Sequence, residues 1–329
     1  MDVSARTLAS LGYDEIRSAL ASRCRTEMGR ERALNRAFLD SAEDIRQSFA
    51  QIDEARHLKN EPMTLPFGGL ADIRMALDQS EKGAIVEPRE LIAICQTLLA
   101  FERASEVLAE RREKLPRLYE ISQSIPVLSR LATRIDRSFE ASGEISDRSS
   151  DSLREARERV RGIARRIKSR LDDLLRDEKF SSNLQEQYYS IRNDRYVVPV
   201  KSSHQREIDG IVHNASQSGQ TLFVEPAELI SIGNDLAIAQ SIVFEEERKV
   251  LIELSTEVGR EAVAIHNRIR SMARLDELEA NAALADDLSA TTPTLDVNEG
   301  VLQLRGLRHP RLVLKSGSSI VANDVELVN

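Results

Sequence analysis

A mainly α-helical protein is predicted: a helical core bundle, two long helices that run out and back as an antiparallel coiled coil, and a small antiparallel β domain at their tip. Three observations predict it. Charged residues make up 30% of the 329-residue chain and aromatics 4%, with no Trp, the composition of extended amphipathic helix rather than of a β-sandwich. Apolar residues recur every seven positions in two separate proline-free stretches. Between those stretches the apolar period drops to two, which is the strand period.

Residues 13 to about 140 read as consecutive short helices. "SAEDIRQSFAQIDEARHLK" opens on Ser41 with Asp44 three positions on, a capping-box pattern. "VEPRELIAICQTLLAFERASEVLAERRE" places Pro88 where a first helical turn tolerates it, and Ile92, Cys95, Leu99 and Phe101 form an apolar stripe behind it. "LPFGGLADIR" is a Pro/Gly turn at Pro66, Gly68 and Gly69. Nothing basic or hydroxylated follows at phosphate-loop spacing, so a turn is the better reading.

The first long helix, 146–180, carries its seam on Leu153, Val160, Ile167 and Leu174, with Ala156 and Ile163 between them. The second, 229–290, repeats the pattern at Leu251, Val258, Ile265 and Met272, beside Leu254, Ala262 and Ile269. We expect these two seams to meet. No proline interrupts Ala227 to Asp287, a helix of up to ~90 Å at ~1.5 Å per residue. The insert, 181–228, supplies the strands. "YYSIRNDRYVVPVK" is a hairpin around "RND", "IDGIVHNAS" and "QTLFVEP" add two strands, and Pro199 suits an edge. "SQSGQT" joins the last two, with Gly219 as its turn glycine. Ser216 and Ser218 have no base at a nucleophile's spacing, so the loop reads as structure or recognition, without a catalytic residue. The segment 291–329 is turn-rich, with strands expected at Val301–Leu304, around Ile320 and Val321, and at Val325–Val328. The pattern stops within those strands, as in a piece of a longer protein.

Net charge is −8, so phosphate binding must come from a local patch. The first residues lack the apolar core of a signal peptide, and no run approaches ~18 apolar residues, so no membrane association is expected. Cys24 and Cys95 sit in helical patterns and read as reduced core thiols of a cytoplasmic protein. No CxxC or Cys/His cluster offers a metal site.

Two surfaces are candidates for a partner. "REARERVRGIARRIKSR", Arg154 to Arg170, holds eight basic residues against two glutamates, and Arg165 and Arg166 lie at its centre. Such a stripe draws a phosphate backbone, unless "FEEERK" on the returning helix neutralises it through Glu245, Glu246 and Glu247. The β insert, from 180 to 230, is less basic, with Arg192, Arg195, Lys201 and Arg206 against six carboxylates. His204 and His213 add charge only at lower pH. It also holds five of the thirteen aromatics: Phe180, Tyr188, Tyr189, Tyr196 and Phe223. These serve either to stack bases or to fill the sheet's own core, and the second is the expected fate of Tyr196 and Phe223.

The order of helical core, helix out, β tip, helix back and opening strands resembles the MutS family. "LPFGGLADIR", "SGEISDRSS", "IRNDRYVVPVK", "GIVHNASQSGQTLFVEP", "RHPRL" and "IVANDVEL" are similar to its second bacterial branch, over essentially the whole chain. That branch lacks mismatch-reading amino-terminal domains and ends in an Smr nuclease domain. The resemblance implies a core over 1–145, lever helices at 146–180 and 229–290, a clamp over 181–228 and the opening of an ATPase domain at 291–329. It also implies ATP and Mg²⁺ as cofactors of the full-length protein, a homodimer, and either branched recombination DNA or the ribosome as the partner embraced. No GxxxxGK[ST] loop occurs here, and Gly-Lys is absent altogether. This stretch is therefore expected to hydrolyse no ATP and to hold no cofactor of its own. By the same resemblance Arg308, His309 and Pro310 form the family's HP motif, and Ile320 and Val321 fall where apolar side chains meet the adenine base. Ordinary strand packing is the competing reading for these five. A coiled-coil adaptor for protein partners is the alternative function.

Overall fold

The computed structural model describes residues 4–61, 64–68, 70–123, 128–296, 301–316 and 320–328. Gly69 of the early turn and Ser318–Ser319 of "SSIVAND" lie outside the described residues. The helices are α1 (Ala5–Leu11), α2 (Tyr13–Ala21), α3 (Glu27–Leu34), α4 (Ala42–Lys59), α5 (Arg74–Glu81), α6 (Pro88–Ala109), α7 (Pro116–Gln123), α8 (Ser129–Ser138), α9 (Asp151–Arg176) and α10 (Glu178–Ser181). Strands β1 (Ser190–Arg192) and β2 (Arg195–Lys201), a 3₁₀ turn (Ser202–Glu207), β3 (Gly210–Ala215) and β4 (Thr221–Pro226) follow. The long α11 (Ala227–Asp287), β5 (Val301–Leu307), α12 (Pro310–Ser316) and β6 (Asn323–Val328) complete the order. The chain divides into two compact units. A helical unit comprises Met1–Asp136 with Leu254–Asn329, and a sheet-bearing unit comprises Arg137–Glu253.

In the helical unit the expected starts hold. Ser41 Oγ accepts from the amides of Glu43 and Asp44, and Pro88 opens α6. The reciprocal bond of a capping box falls elsewhere than Ser41 and Asp44, at α6, where Glu87 N donates to Glu90 Oε2 at 3.4 Å. On α6 the fully covered positions are Leu91, Ile94, Leu98 and Phe101, while Ile92 and Leu99 are half-buried. Cys24 and Cys95 are buried thiols, Cys95 Sγ donating to Ala132 O at 3.3 Å. Burial pushes Cys24 up to about 12 and Cys95 up to about 11.

The second heptad run packs here, which corrects the expected pairing of seams. Leu254, Val258, Ala262, Ile265, Ile269 and Met272 are buried within the helical unit. Ser255 Oγ accepts from Val86 N at 2.9 Å, Glu257 pairs with Arg134, and a Cβ at Gly259 would lie 2.5 Å from Ser80 O. Further along α11, Asp276, 1% exposed, accepts from Arg25 N at 2.9 Å, Thr26 N at 2.8 Å and Thr26 Oγ1 at 2.6 Å.

One turn on, burial pushes the Glu279 carboxyl up from 4.5 to about 7, against the pull of Arg25 Nη2, which lies 3.1 Å away but is 44% exposed. A carboxyl with a raised folded pKa keeps its proton in the folded state, so stability falls as pH rises from about 4.5 through about 7. Glu279→Gln is expected to gain roughly 1–3 kcal/mol at pH 8 and little at pH 4.5. Urea unfolding at the two pH values measures it, and an equal effect at both refutes the assignment.

In the sheet-bearing unit α9 buries Leu153, Ala156, Ile163, Ile167, Leu171 and Leu174, most of the predicted seam. Its partner is the first part of α11. Leu229, Leu236 and Ala239 share one core with Ile163, Ile167 and Leu171, and the ion pairs Arg170–Glu228 and Arg157–Glu247 run in antiparallel order. α11 also contains an 18-residue window of mean hydropathy 1.2, so among the described residues one helix is long and apolar enough by composition to span a membrane. Its Leu229, Leu236 and Ala239 are buried in the unit's own core, and its Asn234 is bonded by Arg195.

The four-stranded sheet has the order β1-β2-β4-β3. Asn193 and Asp194 both have positive φ (48° and 59°), the type I′ turn expected of a two-residue hairpin. Pro199 is not on an edge strand, since β2 lies between β1 and β4. It is tolerated because β1 pairs only as far as Val197, and beyond it Pro199 O merely accepts from Gln185 N at 2.8 Å, so no proline N–H is required. The "SQSGQT" loop closes as a turn: Gly219 has φ +69°, Gly219 N donates to Ser216 O, and Ser216 Oγ accepts from Thr221 N.

The last segment forms an antiparallel ribbon of β5 and β6. The strand expected around Ile320 and Val321 is absent, and β6 begins at Asn323. Instead the sequence just before it folds as α12, with His309 O accepting from Leu312 N and Val313 N, and Val313 buried.

Candidate nucleic-acid interface

The basic run of α9 divides by helical spacing. Arg154, Arg161, Arg165 and Lys168, spaced seven, four and three apart, share the face opposite the buried seam, and Arg159, Arg166 and Arg170 lie on one flank. Arg157, the least exposed, bonds Asp147 Oδ1 and Glu247 Oε1, both at 2.7 Å, and its guanidinium, followed by that of Arg161, holds Asp147 below the usual carboxylate range. Arg154 pairs with Asp151, Arg161 with Asp147 and Arg170 with Glu228. Among the described residues Glu247 is the acid of "FEEERK" that pairs with α9, while Glu246 binds Lys249 at 2.6 Å. Arg159, Arg165, Arg166 and Lys168 have no carboxylate within ion-pair distance among the described residues. Arg161, Arg165 and Lys168, with Glu158 and Ala164, line a groove of ≈ 630 Å³. The exposed pairs add little energy, so Arg154 and Arg161 can exchange a carboxylate for a phosphate at small cost.

The β sheet places its six predicted contact residues differently. Arg192 is exposed and lies over the Phe223 ring at 4.9 Å. Arg206 is exposed on the 3₁₀ turn. Lys201 Nζ donates to Ser182 O at 3.0 Å, and His204 Nδ1 lies 2.9 Å from Ser203 Oγ. Arg195 and His213 are turned inward. A bulge between Val212 and Asn214 puts His213 out of register, and its Nε2 meets Glu225 Oε2 at 2.8 Å. Arg195 reaches the same carboxylate, at 3.3 Å, and Asn234 Oδ1 at 2.8 Å. Glu225 is 2% exposed, so Arg195 and the imidazole of His213 are held within the fold against its carboxylate. Of the aromatics, Phe180, Tyr189 and Tyr196 pack against the core and Tyr188 is exposed.

Sequence reasoning missed Glu225 as the organiser of this cluster, although its place in the apolar run "LFVEP" was the available signal. It also left Arg159 and Lys168 undistinguished among the eight basic residues.

The five residues of the suspected base pocket are only partly gathered. Arg308 Nε donates to Ile320 O at 3.2 Å, His309 and Pro310 open α12, and Val321 is 78% exposed.

The chain is 41% identical over 98% of its length to a protein named Endonuclease MutS2 from Anaeromyxobacter sp. (strain Fw109-5). It is 32% identical over 93% of its length to Endonuclease MutS2 of Pelotomaculum thermopropionicum, and 29% identical over 98% to the putative endonuclease MutS2 of Bacillus subtilis (strain 168). It spans about 39–41% of the length of these relatives. No protein-family model matches it.

Proposed function

The chain is a MutS2-type sequence of the MutS family, and from that premise we propose that it is the nucleic-acid-embracing part of a larger DNA-binding protein. In this reading the helical unit is the core, α9 with the first part of α11 forms the levers, and the four-stranded sheet is the clamp. The observation that carries it is the exposed surface of α9, where Arg165 and Lys168 on one face and Arg159 and Arg166 on the flank have no carboxylate partner among the described residues, in a chain of net charge −8. Such cations release counterions when they meet a phosphate backbone, whether of branched DNA or of ribosomal RNA. ATP hydrolysis with Mg²⁺, nuclease activity and homodimer formation are assigned to the rest of a cytoplasmic full-length protein, outside this chain.

Charge reversal tests the reading. Arg165→Glu, Arg166→Glu and Lys168→Glu together are expected to weaken binding to a four-way DNA junction and to ribosomes across all sequences. The slope of log K against log salt should fall by about 2–3, roughly one unit per lost phosphate contact. Unchanged affinity and slope in a folded variant would eliminate α9 as the interface.

One observation favours an adaptor for protein partners. Ile238, Ile242 and Phe244 on α11 are 58%, 38% and 65% exposed. In that case the same reversal leaves partner binding intact, and substitutions at Ile238 and Phe244 abolish it.

A further inference from the structure

The helical unit contains a cleft of ≈ 1080 Å³ between α3, α4, the segment 35–39 that joins them, and α11. Its walls carry Arg32, Arg36, Arg74, Arg270 and Arg274 against Glu31, Asp44 and Glu277. The acids are largely committed. Glu277, 5% exposed, takes Arg32 Nε at 2.6 Å and Arg36 Nη1 at 3.5 Å, and Glu31 takes both terminal nitrogens of Arg74 at 2.7 and 2.8 Å.

What remains is a ridge on α11. His266, Arg270 and Arg274 succeed one another every four residues, so they share a helix face, and all three line the cleft. His266 Nε2 lies 3.2 Å from Asp78, and among the described residues Arg270 bonds Asn267 and no carboxylate. Arg274 is half-buried, and its one partner among the described residues is neutral, Gln51 Oε1 at 2.9 Å. A guanidinium does not deprotonate in response to burial. Burial, followed by the nearby Arg32, acts against its charge, while Glu277 and Glu120 favour it from a distance, so an anion in contact with the guanidinium adds to that offset. Met28, Leu39 and Val263 supply apolar wall beside these groups, Val263 being 63% exposed.

We infer that this cleft binds a small phosphate-bearing ligand of nucleotide size, its phosphates on Arg274 and Arg270 and its apolar part against Val263 and Leu39. Guanidinium forks match phosphate oxygens in pairs, and the volume is that of a pocket for a whole small molecule rather than a single ion. The site is separate from the α9 face, and its test is independent of that reading.

Calorimetry on the whole 329-residue chain, with tripolyphosphate, ATP and a 5′-phosphorylated trinucleotide as probes, decides it. We expect saturable one-to-one binding of tripolyphosphate, tighter binding of ATP, and weaker binding of the trinucleotide. Arg274→Met and Arg270→Gln should each lower affinity at least about tenfold. Arg270 is exposed, so its variant folds and keeps the test decisive. Absent binding, affinities unmoved by both variants, or a trinucleotide that outcompetes ATP would each overturn the proposal.

Discussion

Asp276→Ala is expected to destabilise the helical unit by about 3–5 kcal/mol, the largest effect of any single truncation proposed for it. The carboxylate lies on α11 yet serves α3 across some 250 positions of sequence, taking the backbone N–H groups of Arg25 and Thr26 and the Thr26 hydroxyl. The Thr26 hydroxyl in turn accepts from Gly29 N at 3.0 Å to cap α3. Alanine leaves these buried donors unsatisfied, because at 1% exposure no water replaces the oxygens. Gly29 shows how closely the parts fit: a Cβ there would sit 2.2 Å from Asp276 Oδ2. Asn should recover part of the loss, since it keeps one acceptor but brings an amide toward two N–H groups. Denaturant unfolding of both variants measures it, and a loss below ~1 kcal/mol for Ala means the cap is dispensable.

Glu225→Ala is the second large effect, about 2–4 kcal/mol, felt in the sheet-bearing unit. The carboxylate is 2% exposed and joins His213 on β3 to Arg195 on β2, and through Arg195 to Asn234 on α11. Gly233 admits this arrangement, since a Cβ there would lie 2.9 Å from both Glu225 Oε1 and Arg195 Nη1. Removing the acid strands a half-buried guanidinium and frees the bulged histidine. A double-mutant cycle with His213→Ala should return a coupling above ~0.5 kcal/mol, and additivity would show that the contact carries no energy.

How far the sequence could be read follows from how local each determinant is. The hairpin at Asn193–Asp194 was legible because two residues of positive φ fix it without outside help. The buried face of α9 was legible because the heptad sits on the helix itself. Which part of α11 faces it was not. Leu229 and Leu236 offer the same seven-residue spacing as Leu251 and Val258 on one uninterrupted 61-residue helix, and periodicity does not say which stretch meets which neighbour. Pro199 misled because strand rank was inferred from a missing N–H, when what matters is whether a partner requires that N–H at that residue. At the candidate interface the sequence gives the eight basic residues but not their commitments, and only tertiary contacts separate Arg157 from Arg165.

The two cysteines have a use beyond packing. Cys24 and Cys95, 3% and 4% exposed, carry little thiolate, Cys24 packing with residues of α2, α3 and α11 and Cys95 on α6 bonding Ala132 O of α8. A disulfide-exchange reagent therefore advances at either sulfur only as often as those helices part. The chain thus holds two intrinsic clocks for the breathing of its helical half, readable without introducing a label.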